Sequence, residues 1–255
     1  SGLVQAISIL LNCLPMQCGD SLSRLSANNA MSSALLTANF EPITKGIIMH
    51  SLKVKISDIR AVSFAMAKKD LRFVLNGMLV ETNGADVRLV CCDSHRLHGV
   101  MISNDDELIR DVVQYIVPDT LVNVILKAKA QRNSVPMVTL TFDNGKVSAL
   151  LPDGTESVAS LVDGKFPDYC RVIPAAFSGE FAHYNQSYVL DAQKALGAYC
   201  GNEYATNFIH NGNSAAGGLS YGSFICVVMP MRGEKSENPS SAWNSPMQSA
   251  EKLAA

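Results

Sequence analysis

Apolar positions between Gly2 and Leu14 recur as Val4, Ile7, Leu11 and Leu14, with Gln5, Ser8 and Asn12 on another face and Pro15 next. That spacing predicts an amphipathic helix that stops at the proline. Residues 16 to 50 are rich in Ser, Asn and Ala and support no detailed assignment. From Ser51 the pattern sharpens. Lys53 to Ile56 alternates like a strand, and Ser57 is expected to cap a helix running to about Lys68 with Ile59, Val62 and Met66 buried. Two strand-like runs follow, Phe73 to Glu81 and Val87 to Val100, joined through the reversal signal Asn83-Gly84.

The same order then repeats. Pro118 opens a helix from Asp119 to about Arg132, predicted to bury Leu121, Val124, Ile125 and Ala128 and to expose Asn123, Lys127 and Gln131. Strands are expected over Met137 to Phe142 and Lys146 to Leu151, linked at Asp143-Asn144-Gly145, and over Ser157 to Val162. A third block has a helix from Ser187 to about Tyr199 and a β-rich run from Phe224 to Met231. Its Asn/Gly/Ser-rich stretch from Gly201 to Ser223 has poor strand propensity, which predicts a frayed block. A helix with a few antiparallel strands buries only one face by itself, so the blocks must pack together into continuous sheets, an α+β architecture. After Arg232 the sequence turns to Gly-Glu-Lys-Ser-Glu-Asn-Pro-Ser-Ser, and residues 233 to 255, Trp243 among them, read as a flexible tail.

Composition narrows the classes. A chain of 255 residues with 47% apolar content can bury a real core, which excludes wholesale disorder. Lys+Arg 21 against Asp+Glu 23 gives a net charge of −2 and no global pull toward polyanions, so any such site needs locally gathered Lys and Arg. The apolar stretch near Ala6 to Leu14 is too short to span a bilayer and lacks a basic leader. The seven cysteines, Cys13, Cys18, Cys91, Cys92, Cys170, Cys200 and Cys226, form no C-x-x-C pair. They read as core thiols in a reducing cytoplasm. No cofactor or metal site and no membrane partner are expected.

Four stretches in order carry a resemblance. They are Asp70-Leu71-Arg72-Phe73-Val74-Leu75-Asn76-Gly77-Met78-Leu79, Cys92-Asp93-Ser94-His95-Arg96-Leu97, Leu161-Val162-Asp163-Gly164-Lys165-Phe166-Pro167-Asp168-Tyr169 and Val227-Val228-Met229-Pro230-Met231-Arg232. Together they resemble the bacterial DNA polymerase III beta subunit, the replication sliding clamp. The resemblance implies a DNA-clamp fold of repeated helix-plus-antiparallel-strand half-domains with continuous outer sheets. By that division residues 1–50 are the second half of a first clamp domain, with Leu14-Pro15 and Ala38-Asn39-Phe40 as faint landmarks. Residues 51–172 are a complete middle domain, 173–232 a shortened third domain and 233–255 the tail.

The family does no covalent chemistry. Its subunits close into a ring that slides on duplex DNA and tethers the polymerase, which needs inward-facing cations that hold phosphates without reading bases. The implied DNA-facing residues are Lys68, Lys69, Arg72 and Phe73, with Lys127, Lys129 and Arg132 on the next helix; where the family often has a second aromatic, this chain has Val74. Lys53, Lys55, Arg60, Lys68, Lys69, Arg72, Arg88 and Arg96 outnumber the five acids between Ser51 and Val100. The second implied site is a hydrophobic cleft for linear motifs of polymerases and clamp-loader subunits. Its walls are Leu75, Cys92, Ser94, His95, Arg96, Leu97, Pro167, Arg171, Val172, Val228, Met229, Pro230, Met231 and Arg232. Aliphatic, Met and Pro surfaces accept apolar anchors there while Arg and His bond the peptide backbone. Ser94 stands where the family usually has Gly, and Cys92 where it has Thr. The partners implied are double-stranded DNA, polymerase and clamp-loader proteins, and further copies of the chain in a homodimer or other homo-oligomer. Two other readings stand beside this one: an enzyme using Cys92 with His95, or Asp93 and His95 on a metal, and a binding module that captures clamp-binding proteins without encircling DNA.

Overall fold

The computed structural model describes residues 50–83, 85–103, 112–129, 134–201 and 207–233. All belong to a compact unit running from Lys45 to Ala255. The helix expected over residues 2–14, nearly all of the partial first domain, Gly84 of the reversal signal, Arg132 and the tail beyond Gly233 lie outside the described residues.

The first block supplies strand β1 (His50–Lys55), helix α1 (Ile56–Ser63) and strands β2 (Gly77–Thr82), β3 (Asp86–Cys92) and β4 (Arg96–Ser103). The second repeats the order with β5 (Val113–Pro118), α2 (Asp119–Lys127), β6 (Met137–Asp143), β7 (Lys146–Leu150) and β8 (Glu156–Ser160). The third supplies α3 (Gln186–Cys200), β9 (Gly217–Tyr221) and β10 (Phe224–Val228). The first two blocks exchange their leading strands. β1 pairs antiparallel with β6, Val54 opposite Val138, and gives a sheet β1-β6-β7-β8. In return β5 pairs with β2, Leu79 opposite Ile116, at one end of the sheet β5-β2-β3-β4-β10-β9. Through β10, set on β4 with Val227 opposite Leu97, the third block extends the sheet of the first.

Alternate strand residues face opposite sides of a sheet. In the six-stranded sheet Met78, Val80, Leu89, Cys91, Cys226 and Val228 enter the main core, with Ile59 and Val62 of α1, Leu121 and Ile125 of α2, and Leu196 of α3. The intervening residues Leu79, Val90, Leu97, Ile116 and Val227 face the other way and form a second, smaller core with Leu75, Phe166 and Tyr169. A sheet apolar on both faces needs a cover on each, and on this second face the cover is made of irregular chain.

Local chemistry moves several expected boundaries. Ser57 does not cap α1; it is the second helical residue, and its hydroxyl donates to Asp58 at 3.2 Å while the cap position is Lys55. α1 ends at Ser63 and not near Lys68. Ala65 and Met66 donate to carbonyls three residues back, and Ala65, Met66 and Ala67 are then buried in succession, which one helix face cannot provide. α2 stops at Lys127, where Ala128 turns extended, and Val122 is buried while Val124 stands 41% exposed. The run Val87 to Val100 is two strands: Asp93 Oδ1 accepts the N–H groups of His95 and Arg96 at 3.1 and 3.0 Å, and this Asx turn breaks it. Asn144 and Gly145, at φ 44° and 74°, make the two-residue turn that closes β6 on β7. β9 forms in spite of its composition. A Cβ at Gly218 would collide with the carbonyl oxygen of Cys226, so glycine is what allows this strand to approach β10. Among the described residues no helix is long and apolar enough to cross a membrane.

Candidate functional site

The cover over the second face of the six-stranded sheet has two pieces. One is the 3₁₀ turn Phe73–Leu75, held by the loop before it, where Asn76 Oδ1 accepts the N–H of Asp70 and Asn76 Nδ2 donates to the Asp70 carbonyl, both at 2.8 Å. The other is the segment through Phe166 and Pro167 to the 3₁₀ turn Tyr169–Val172. Tyr169 fixes the second piece to the sheet by donating to Glu81 of β2 at 2.5 Å, and burial pushes its hydroxyl far up, so it stays a donor. Gly164, at φ 143°, brings this segment against Val74; an added Cβ would lie 2.7 Å from a Val74 methyl.

Between the two pieces the sheet face is left open as a cleft of about 240 Å³. Its floor and walls are Leu75, Leu97, Phe166, Val172, Val227 and Met229, and its mouth carries Arg72, Ser94, His95 and Asp168. Of the residues the resemblance assigned to a cleft, the structure gathers Leu75, Cys92, Ser94, His95, Arg96, Leu97, Pro167, Val172 and Met229 here. The remaining five are placed otherwise. Val228 points into the main core with no exposed surface, because β10 turns its neighbour Val227 to the cleft side. Arg171 is 83% exposed in its side chain and held by Asp168 at 2.8 Å. Met231 bridges to His183, and neither Pro230, Met231 nor Arg232 lines the cavity.

Sequence reasoning did not place Phe166, Asp168, Tyr169 and Val227 in this cleft, and it assigned Arg72 to the duplex. Arg72 stands at the cleft mouth, bonded to Asp70 at 2.9 Å and donating to the Ser94 hydroxyl. Lys68, Lys69 and Phe73 are exposed on the same loop as Arg72, and Lys127 and Lys129 are exposed at the end of α2, where Arg60 of α1 donates to the Leu126 carbonyl at 3.1 Å.

One wall of the cleft is tied to α3. Arg96, its side chain 12% exposed, bonds Asp93 at 2.9 Å and Asp191 of α3 at 2.7 Å, and its guanidinium lies 4.4 Å from the centre of the Tyr188 ring. His95 stacks on the same ring at 6.1 Å. Burial alone would raise the Asp191 carboxyl, but its bonds to Arg96 and Lys194 hold it below the usual range. Nothing in local spacing marks Tyr188 and Asp191 as cleft support, since they lie on a distant helix. Cys92 is a poor nucleophile here. Burial and the neighbouring Asp93 push its thiol up against the opposing Ser94 N–H and Arg72, and its sulfur accepts that N–H at 3.4 Å. Among the described residues no group of three His, Cys, Asp or Glu is placed to hold a metal ion.

The arrangement has room for one or two apolar side chains of a short extended chain, with an apolar floor and hydrogen-bond donors at the rim. Residues 51–168 match the family described as DNA polymerase III beta subunit, central domain. The beta sliding clamp of Pseudomonas aeruginosa is 34% identical over 147 residues, covering 56% of this chain and 39% of the relative. The Escherichia coli beta sliding clamp is 36% identical over 116 residues, covering 46% and 30%. The chain thus spans well under half the length of the curated relatives it matches. Among solved structures, the Pseudomonas aeruginosa DNA polymerase III subunit beta superposes with a TM-score of 0.57 at 23% identity, over 76% of this chain and 69% of that one. A putative DNA polymerase III beta subunit from Eubacterium rectale gives 0.59 at 15%, over 72% and 66%. These structures share the fold of this chain, and residues 51–168 are similar in sequence to the central domain of the DNA polymerase III beta subunit.

Proposed function

We propose that the protein is a sliding-clamp-like processivity factor for DNA replication. It holds duplex DNA by enclosure without reading sequence, and it captures linear motifs of DNA polymerase and clamp-loader subunits in the apolar cleft. The observation that carries this reading is the cleft itself, built between β4, β10 and two 3₁₀ turns inside a chain that matches the central domain of sliding clamps. Enclosure asks little of net charge, because a ring retains DNA by topology and a modest basic lining is enough; Lys68, Lys69, Lys127 and Lys129 are exposed candidates for it, and Arg72 serves the cleft mouth. Closing a ring requires further copies of the chain, so the protein acts as a homodimer or other homo-oligomer.

A fluorescein-labelled peptide carrying a polymerase clamp-binding motif is expected to bind in the micromolar range, and Met229→Ala to weaken it by about tenfold, the ~1.4 kcal/mol of a half-lost apolar anchor. Absence of binding at high protein concentration refutes the cleft. Retention on nicked circular DNA with loss after linearisation tests enclosure; equal retention on both, or none on either, refutes it. A second reading is a module that captures clamp-binding proteins without encircling DNA: none of Lys68, Lys69, Lys127 and Lys129 lines the cleft, so peptide capture does not draw on the candidate ring lining. A monomeric mass in solution together with peptide binding selects that reading.

A further inference from the structure

The cleft lies within reach of a later segment of its own chain. Met229 forms part of its wall and is 38% exposed. Its N–H donates to the His95 carbonyl at 2.8 Å, the N–H of Met231 donates to the His183 carbonyl at 2.7 Å, and the described chain leaves this corner at Gly233. The sequence continues through Glu234-Lys235-Ser236-Glu237-Asn238-Pro239-Ser240-Ser241 to Ala242-Trp243-Asn244-Ser245-Pro246-Met247. We infer that Trp243 and Met247 occupy the cleft of the same molecule and compete there with outside peptides. This rests on the reading of the cleft as a peptide acceptor.

Three physical points support it. The first is reach. An extended chain spans at most about 3.3–3.6 Å per residue, so Gly233 lies no more than about 14 Å from Met229 and Trp243 can be as much as about 35 Å from Gly233; the return needs no strain. The second is chemistry. The floor of Leu75, Leu97, Val172 and Val227 accepts apolar side chains, and between Gly233 and Leu253 the sequence offers two large ones, Trp243 and Met247, in an otherwise polar context. The third is concentration. A ligand tethered by a short linker acts at an effective concentration on the order of 1 mM, so a segment with an intrinsic Kd of about 100 μM raises the apparent Kd of an outside peptide by roughly tenfold.

Trp243 is the only tryptophan of the chain, so its emission reports on this segment in the unmodified protein. The expected result is blue-shifted emission that does not change on dilution and moves red when a saturating tryptophan-free clamp-binding peptide is added. In parallel, the full chain carrying Trp243→Ser and Met247→Ser is expected to bind the fluorescein-labelled peptide roughly tenfold more tightly than the unaltered chain. Equal affinities with emission that ignores the peptide overturn the inference while leaving the cleft reading intact. Emission that moves red on dilution also overturns it, by assigning the segment to a second copy. If neither chain binds the peptide, the cleft reading fails and this inference with it.

Discussion

His98 makes the folded protein acid-sensitive in a way that a single substitution can isolate. It lies on β4 with no exposed surface, its Nδ1 bonded to the Ala61 carbonyl of α1 at 3.1 Å and its ring edge-on to Phe224 of β10 at 5.9 Å. Among the described residues Nε2 has no hydrogen-bond partner. A second proton would therefore create a buried cation with an unpaired donor. Burial dominates and carries the imidazole from 6.5 down to about 4; the Ala61 carbonyl opposes it, Arg96 adds to it, and Asp93 and Asp191 pull back. The unfolded chain takes up the proton below 6.5 and the folded chain only below about 4. Stability is therefore full above 6.5 and is lost as pH falls toward 4, at about 1.4 kcal/mol per pH unit and about 3 kcal/mol in total. His98→Asn removes the titration and keeps an amide donor for Ala61. Urea unfolding followed by circular dichroism at pH 7, 6, 5 and 4 is expected to show the unaltered protein losing about 3 kcal/mol relative to the variant, with the m-values unchanged. Other titrating groups, such as the buried carboxyl of Asp58 that burial raises, cancel in the difference. Parallel pH profiles for the two proteins refute the reasoning.

The sheet parity gives a paired test. Val228→Ala is expected to cost about 2 kcal/mol of unfolding free energy with peptide affinity unchanged, whereas Val227→Ala weakens both, read by urea titration and fluorescence polarisation. Ser94 sits at φ 78°, a left-handed conformation that costs a side-chain-bearing residue about 1–2 kcal/mol, so Ser94→Gly is expected to raise thermal stability modestly while releasing Arg72 from its hydroxyl partner. Asp191→Asn leaves the mostly buried Arg96 with Asp93 as its one charged partner among those described, and is expected to cost about 2 kcal/mol and to quench the coupling between α3 and the cleft wall, measured as a Tyr188-dependent change in peptide affinity that disappears in the double variant Asp191→Asn, Tyr188→Ala.

The elements were legible where the sequence alternates or caps itself. α2 reads from Leu121 and Ile125 recurring on one face and the β6–β7 turn from Asn144-Gly145, and the helix expected from Ser187 to about Tyr199 is α3, which the structure caps with Asn185 and ends at Gly201. The strand exchange was not legible, because β1 and β5 carry no local mark of which block's sheet they will join. The family resemblance named nine of the residues that line this cavity, but the parity of β10 was not legible. Val227-Val228 lies in a sheet covered on both faces, where no polar residue distinguishes inside from outside. The support of the wall by Tyr188 and Asp191 joins residues far apart in sequence, and only tertiary packing brings them to Arg96.

The exchange of β1 and β5 also bears on how the protein comes off the ribosome. β1 is made early and has its hydrogen-bonding partner in β6, which follows only after all of the first block, β5 and α2 have emerged. The first block cannot close on its own as it is synthesised, since one of its strands waits for chain not yet made and the end of its sheet waits for β5. Such long-range pairing delays folding and leaves strand edges open in the meantime. Nascent chains are thus expected to stay sensitive to proteases until β6 is complete, and ribosome-bound intermediates that end before β6 are where misassembly between neighbouring chains would begin.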